Sequence, residues 1–226
     1  MHNYSIIIPV HNEVNQVPSL LNSLKEISDK GNEIIIIDDG SNDGSTDILS
    51  RSKFISLIIL DKNKGKGYAI RKGLEASTNN KIVIYDGDME LDPLEIDKLM
   101  ILNKSQNINF VMGNRFNTLN PLKSNFDWGN FMFTSFFNIL FNSHSKDILC
   151  CAKAFYLDDI KITDLESMGF DIDIELSFFL TIKSKRRRIP QVRINYKRRD
   201  VSGGKKLKIS DGWIILLRTI KKVKYL

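Results

Sequence analysis

Ile82-Val83-Ile84-Tyr85-Asp86-Gly87-Asp88-Met89-Glu90 runs from an unbroken apolar stretch straight into carboxylates at alternate positions. Such a run, stopped by acids and a glycine, predicts a buried strand ending at a polar rim. The pattern recurs upstream. Residues 5–10 form an apolar run closing on Pro9-Val10, and residues 33–37 run into Asp38-Asp39-Gly40. Two more runs, 57–60 and 109–112, bring the predicted strands to five. Helix signals fall between them. Val17, Leu20, Leu21 and Leu24 recur at helical spacing, with Pro18 suited to a first turn. Ser45 or Thr46 can cap a short helix through 50, a helix is expected over 67–76, and Asp92-Pro93 opens another to about 102. Near-continuous Ile/Val strands are those of a sheet covered on both faces, so the reading is a doubly wound, mostly parallel α/β sheet. Ligands in such sheets sit at the carboxyl ends of the strands.

Composition agrees. The chain has 226 residues, 42% apolar and 27% charged, which supports a packed core and excludes disorder over most of its length. Its two cysteines, Cys150 and Cys151, are adjacent and supply neither a disulfide framework nor a four-ligand zinc site. The longest nearly apolar stretch, 131–141, is far shorter than the roughly 20 residues a spanning helix needs. No signal-peptide pattern opens the chain. The expectation is a cytoplasmic protein, at most peripheral to a membrane. Charge is unevenly spread. Over residues 183–226, 16 Lys and Arg stand against two Asp, a net +14, while the first 182 residues carry −8. That asymmetry points to an anionic partner near the C-terminal end, or to a merely solvated basic face.

The second half is less regular. Phe133, Phe136, Phe137, Leu140 and Phe141 share one helical face, facing either the core or lipid. A helix is expected over 171–183, a strand over 189–196, a flexible loop at Gly203-Gly204, and a terminal helix over 210–222 with Trp213, Leu216, Leu217 and Ile220 on one side.

Two strand ends carry candidate chemistry. In an extended chain Asp86, Asp88 and Glu90 share a face and can converge on a hard cation, while Gly87 lets a ligand approach the backbone. Mg²⁺ or Mn²⁺ takes oxygen ligands and bridges one or two carboxylates to substrate phosphates. The plainer alternative is a set of surface turn acids. Asp38-Asp39-Gly40-Ser41 can accept hydrogen bonds from a nucleoside, or can be a turn and helix cap. Asn63-Lys64-Gly65-Lys66-Gly67 is a third such loop, but it has neither Walker nor G-x-G-x-x-G spacing.

The order Ile6-Ile7-Ile8-Pro9-Val10-His11-Asn12-Glu13, then Asp38-Asp39-Gly40-Ser41, Asn63-Lys64-Gly65-Lys66-Gly67 and Asp86-Gly87-Asp88 resembles glycosyltransferase family 2, and most of all its dolichol-phosphate mannose synthase type. Gly113-Asn114-Arg115-Phe116, the segment 147–155, and Arg199 followed by Gly203-Gly204-Lys205-Lys206 resemble later motifs of that group. The resemblance spans residues 4 to about 222. It implies a GT-A fold in a single domain over 1–226, with a nucleotide-sugar-binding half over about 1–115 and an acceptor-side half beyond. It also implies metal-dependent, inverting transfer from a nucleotide-diphosphate sugar (GDP- or UDP-linked). On that basis Pro9, His11, Glu13, Ile37 and Asp39 hold the nucleoside. Asp86, Gly87, Asp88 and Glu90 meet metal and diphosphate, with Asp86, Asp88 and Glu90 as the ligand set. Arg115, Arg199 and Lys205 face phosphate oxygens. His11 and Glu90 stand where that group has Tyr and Gln.

A polyprenyl phosphate acceptor is already an anionic nucleophile. A saccharide hydroxyl needs a base, for which Asp173 is the candidate, the alternative being an acidic first helical turn. Other readings are a sugar nucleotidyltransferase, which lacks its Gly-rich loop after the first strand, and a non-enzymatic binder of nucleic acid or other anions. Residues 183–199 hold only Tyr196 as a stacking aromatic, so no nucleic-acid partner is expected. Lys222, in the terminal helix, is expected to help the basic end meet an anionic leaflet.

Overall fold

Alternate residues of the first strand, β1 (Tyr4–Val10), belong to two different cores. Ile6 and Ile8 pack on one face of the sheet with Leu20 and Leu24 of α1 (Val17–Asp29), while Ile7 packs on the other with Ile70 and Leu74. The next strand, β2 (Glu33–Asp38), repeats the division: Ile34 and Ile36 face one core, Ile35 and Ile37 the other. Side chains alternate across a strand, so a strand buried on both faces reads as continuous isoleucine. Each such isoleucine contributes about 1.5–3 kcal/mol relative to an exposed one.

The computed structural model describes residues 3–116, 125–185, 187–199, 217–220 and 222. After β2 come α2 (Ser45–Ser50), β3 (Ser56–Ile59), α3 (Lys66–Ala76) and β4 (Lys81–Ile84). Then follow β5 (Phe110–Asn114), α4 (Asn125–Phe141), β6 (Lys153–Tyr156), α5 (Ile172–Lys183) and β7 (Gln191–Arg193). The strands form one sheet in the order β3-β2-β1-β4-β6-β5-β7. β1 to β4 are mutually parallel, β6 runs antiparallel to both neighbours, and β5 pairs parallel with β7. The chain reverses direction of winding at β1, which lies between β2 and β4. That switch point is where an open α/β sheet leaves a crevice.

The five strands expected between residues 5 and 112 are present, with ends shifted by one or two residues. Three local readings change. The segment after Asp92 is a 3₁₀ turn, Pro93–Leu99, with the Asp92 side chain accepting from the Leu94 N–H. The strand expected over 189–196 shrinks to β7 and an isolated bridge between Leu91 and Tyr196. β6 was not expected at all, because it carries a lysine, Lys153, which is fully buried and donates to the Cys150 carbonyl. Cys150 and Cys151 are free thiols, both buried.

α4 and α5 meet in a third core. Phe137 and Phe141 are fully buried there against Phe178, as the core-facing reading requires. The opposite side of α4 leaves Trp128, Phe131, Met132 and Ile139 exposed, Ile139 at 80%. Residues 217–220 and 222 are helical, but their apolar members Leu217 and Ile220 face outward. Lys222 is turned inward and pairs with the fully buried Glu175 at 2.8 Å, so the expectation of a surface lysine on this helix is corrected. Gly203, Gly204, Lys205, Trp213 and Leu216 lie outside the described residues.

Candidate active site

A cleft of about 650 Å³ opens at the carboxyl ends of β1, β2 and β4. The sheet carries Pro9, Asp39 and Asp86 to its floor because Pro9 lies in the last residues of β1 while Asp39 and Asp86 follow the ends of β2 and β4. Of the residues singled out in the sequence, Pro9, His11, Glu13, Asp39, Asp86, Gly87, Asp88, Glu90, Arg115, Asp173 and Arg199 all line this one cleft. Ile37 does not. It is fully buried under α3, where the Cβ of any residue replacing Gly73 would press on it, and its part in nucleoside binding is withdrawn. Lys205 lies outside the described residues.

The acidic stretch after β4 departs from the extended chain expected of it. The strand stops at Ile84, and Met89 takes a left-handed conformation, φ 60°. A side chain rarely adopts that conformation without compensation from its surroundings. The turn lets the Glu90 N–H donate to Asp88 Oδ1 at 3.0 Å. Glu90 instead accepts from the Arg199 backbone N–H at 2.9 Å, and its own carbonyl accepts from the Lys197 N–H. Among the described residues no three His, Cys, Asp or Glu side chains converge as a ligand cage. The three carboxylates therefore do not converge as one cage: Glu90 holds residues 197–199 in place, while Asp86 and Asp88 stay together on the cleft floor. Gly87 lines the cleft and has a packing reason besides: a Cβ there would stand 2.7 Å from Val10 Cγ2.

Asp86 and Asp88 sit in opposite electrostatic circumstances. Burial would raise Asp86, but the Lys66 ammonium beside it holds its carboxyl below the usual range. Burial and the neighbouring Asp86 charge push Asp88 up to about 7. Among the described residues Asp88 pairs with Arg199, whose Nη2 stands 3.5 Å from Oδ2. Two carboxylates separated by a single residue on the cleft floor are the oxygen donors a hard divalent cation takes, although Lys66 and Arg199 now stand beside them.

The sequence reading missed Lys66. Its Nζ lies 2.8 and 2.9 Å from the two oxygens of Asp86 and 2.9 Å from Asp173 Oδ2. Burial opposes its charge, yet Asp173 and Asp86 hold the ammonium well above the ordinary lysine range. Glycine on both sides was the signal available, since Gly-Lys-Gly at a strand's carboxyl end frees the backbone to fit a close neighbour. The fit is tight: a Cβ on Gly65 or Gly67 would fall 2.3 Å from a carbonyl oxygen of Met168 or Ser167. Asp39 secures the same loop, its two carboxylate oxygens accepting from the Lys64 and Gly65 N–H groups at 2.7 and 2.8 Å.

Both expected phosphate-facing arginines are engaged by acids. Arg115 gives Nε and Nη2 to the buried Asp147, at 2.7 and 2.8 Å, and its guanidinium lies over Phe116 and Tyr196. Arg199 gives both terminal nitrogens to Glu13, at 2.8 and 3.0 Å. A buried fork of this kind holds two elements in register as well as carrying charge. Arg199 thus ties the chain after β7 to the end of β1 across the mouth of the cleft.

Solved structures share this fold. The chain superposes on glucosyl-3-phosphoglycerate synthase from Mycobacterium tuberculosis, described in complex with Mn²⁺, UDP and glucosyl-3-phosphoglycerate, with a TM-score of 0.76 and 16% identity over 98% of this chain and 80% of that one. Mannosyl-3-phosphoglycerate synthase from Rubrobacter xylanophilus gives 0.75 at 12% identity, over 97% and 73%. In sequence, the undecaprenyl-phosphate 4-deoxy-4-formamido-L-arabinose transferase of Pseudomonas syringae pv. syringae is 39% identical over 107 residues, 43% of this chain and 32% of that protein. The enzyme of the same name from Aeromonas hydrophila is 34% identical over 105 residues, 42% and 32%. The aligned part is thus about a third of the length of these curated relatives. The model of the family described as glycosyl transferase family 2 matches residues 5–160, covering strands β1 to β6 and the acids of the cleft, and the chain belongs to that family.

Proposed function

We propose that this chain moves a sugar, with inversion, from a nucleotide-diphosphate sugar to a polyprenyl phosphate, in a reaction that needs Mg²⁺ or Mn²⁺. The observation that carries the reading is the Asp86–Asp88 pair on the floor of a cleft large enough for a nucleotide sugar, at the switch point of the sheet. Support for the acceptor comes from the undecaprenyl-phosphate transferases that align with part of the chain, and support for a UDP-linked donor from the neighbour holding UDP.

In this reading Asp86 and Asp88 hold the cation and, through it, the diphosphate. Bound there, a divalent cation supplies Lewis-acid stabilisation of the leaving diphosphate. Pro9, His11 and Asp39 border the nucleoside end of the cleft, with Asp39 acting by fixing the 63–67 loop. Arg199 stands beside Asp88 and offers its guanidinium to the charge that grows as the sugar–phosphate bond breaks. A phosphate acceptor attacks without giving up a proton. A saccharide acceptor remains a second reading because Asp173 Oδ1, buried in the cleft wall, has no hydrogen-bond partner among the described residues and is placed to take a proton from a hydroxyl. The apolar residues exposed on α4, together with Leu217 and Ile220, are assigned to the surface of the bilayer that carries a lipid acceptor, with the basic C-terminal region matching anionic headgroups at its cytoplasmic face. Among the described residues no helix is long and apolar enough to cross a membrane.

The test is a panel of nucleotide sugars scored for nucleotide release, with and without polyprenyl phosphate and with a saccharide acceptor. Release is expected only with the lipid phosphate and a divalent cation. Asp88→Asn keeps the shape and removes the charge, and should lower kcat by about 10²-fold or more. Full turnover in excess chelator, or in Asp88→Asn, overturns the assignment.

A further inference from the structure

The Lys66 ammonium occupies one side of the Asp86 carboxylate from which a divalent cation would be held, and it reaches Asp173 at the same time. Its position is imposed, not incidental. The flanking Gly65 and Gly67 are pressed against the carbonyls of residues 167 and 168, Gly67 donates to the Met168 carbonyl at 2.8 Å, and Asp39 grips the loop from the other side. The side chain is only 9% exposed and lies across the Phe170 ring, so it is shielded from water as well as anchored. Three charged groups from three elements therefore meet at one nitrogen: the end of β4, the start of α3 and the start of α5.

We propose that Lys66 is a built-in counter-cation, which neutralises Asp86 and ties it to Asp173 in the donor-free protein and has to leave Asp86 before a divalent cation can bind there. The proposal rests on the metal-dependent reading above. Two consequences follow from electrostatics alone. The bare protein binds metal weakly, because the incoming cation must displace an ammonium that already satisfies both oxygens of its main ligand. A nucleoside diphosphate adds its own negative charge and oxygen ligands, so it reverses that disadvantage and metal and donor bind cooperatively. Displacement also ends the bridge to Asp173, so donor binding alters the state of the acceptor side.

Mn²⁺ uptake measured by electron paramagnetic resonance tests this without any turnover. Wild-type protein, Lys66→Met, Lys66→Gln and Lys66→Arg are each titrated with Mn²⁺ alone and with UDP present. Lys66→Met, or Lys66→Gln should the methionine variant not fold, is expected to bind Mn²⁺ alone at least about tenfold more tightly than wild type, the size of effect one adjacent opposite charge produces. Lys66→Arg keeps the charge and should stay weak, and UDP should tighten wild type far more than it tightens Lys66→Met. If removing the charge leaves Mn²⁺ affinity unchanged or lower while UDP still tightens all four proteins, the counter-cation role is wrong and the metal site stands. If Lys66→Arg tightens as Lys66→Met does, charge is not the cause and the proposal fails. If no protein takes up Mn²⁺ even with UDP, the metal-dependent reading falls and takes the counter-cation with it.

Discussion

Asp86 and Asp88 are two residues apart, yet one is held ionised by an ammonium and the other is held protonated near neutrality by burial and by its neighbour's charge. The second effect has a measurable sign. Asp88 titrates at about 7 in the folded protein, above the ordinary carboxylate value of about 4. Between those values the native state keeps a proton that the unfolded chain has lost, so the metal-free protein loses stability as pH rises from about 4 to about 7. Asp88→Asn copies the protonated form and escapes that loss. Without metal it is expected to melt above wild type at pH 8, with the gap closing toward pH 4. Calorimetric scans across that range decide it; parallel profiles would show that Asp88 is not held protonated. Adding Mn²⁺ together with UDP should reverse the order, since the cation stabilises most the protein that keeps both carboxylates.

Among the elements, α5 is the one whose surroundings the sequence concealed. Its N-cap Asp171 and its first-turn Asp173 and Glu175 each meet a basic residue far away in the chain: Arg218, Lys66 and Lys222. Helix N-termini favour acids, which explains the composition but not the partners. Lys222 also lies over the rings of Phe178 and Phe179, so its stem fills space as its charge pairs. Lys222→Met keeps the volume and strands the Glu175 charge in the core. Breaking a buried pair from one side costs roughly 3–5 kcal/mol. A fall of that size in the free energy of unfolding by urea is expected, and Glu175→Gln in the same protein should restore much of it. Loss of vesicle binding with unchanged stability would instead return Lys222 to the surface role first expected of it.

At the scale of the whole molecule, two helical faces turn apolar residues outward. Residues 217–220 and 222 turn Arg218 and Lys222 inward and present Leu217 and Ile220, while α4 presents Trp128, Phe131, Met132 and Ile139. Exposed apolar groups gathered in this way mark an interaction surface. If that surface is a bilayer, Ile139→Asp and Trp128→Asp should each weaken co-sedimentation with anionic vesicles while leaving the melting temperature within a few degrees of wild type. Binding that survives both changes would remove the lipid assignment of this face without touching the cleft.

The parallel sheet and the place of the cleft were legible in the chain itself. Strands buried on both faces must be apolar at every position, so β1, β2 and β4 announce themselves, and the acids that end β2 and β4 mark the rim. Those properties depend on near neighbours in sequence. The antiparallel β6, with its buried Lys153, was hidden because its lysine is tolerated only through a carbonyl supplied by the preceding turn. The roles of the charged residues were hidden for a related reason. Whether Arg115 faces a phosphate or Asp147, whether Glu90 faces a metal or the 199 backbone, and whether Lys66 faces water or two carboxylates depends on contacts across 32, 109, 20 and 107 positions of chain. A residue type fixes the charge a side chain brings. Only the folded chain, by bringing distant charges within a few ångströms inside a low-dielectric cleft, decides which of them that charge answers.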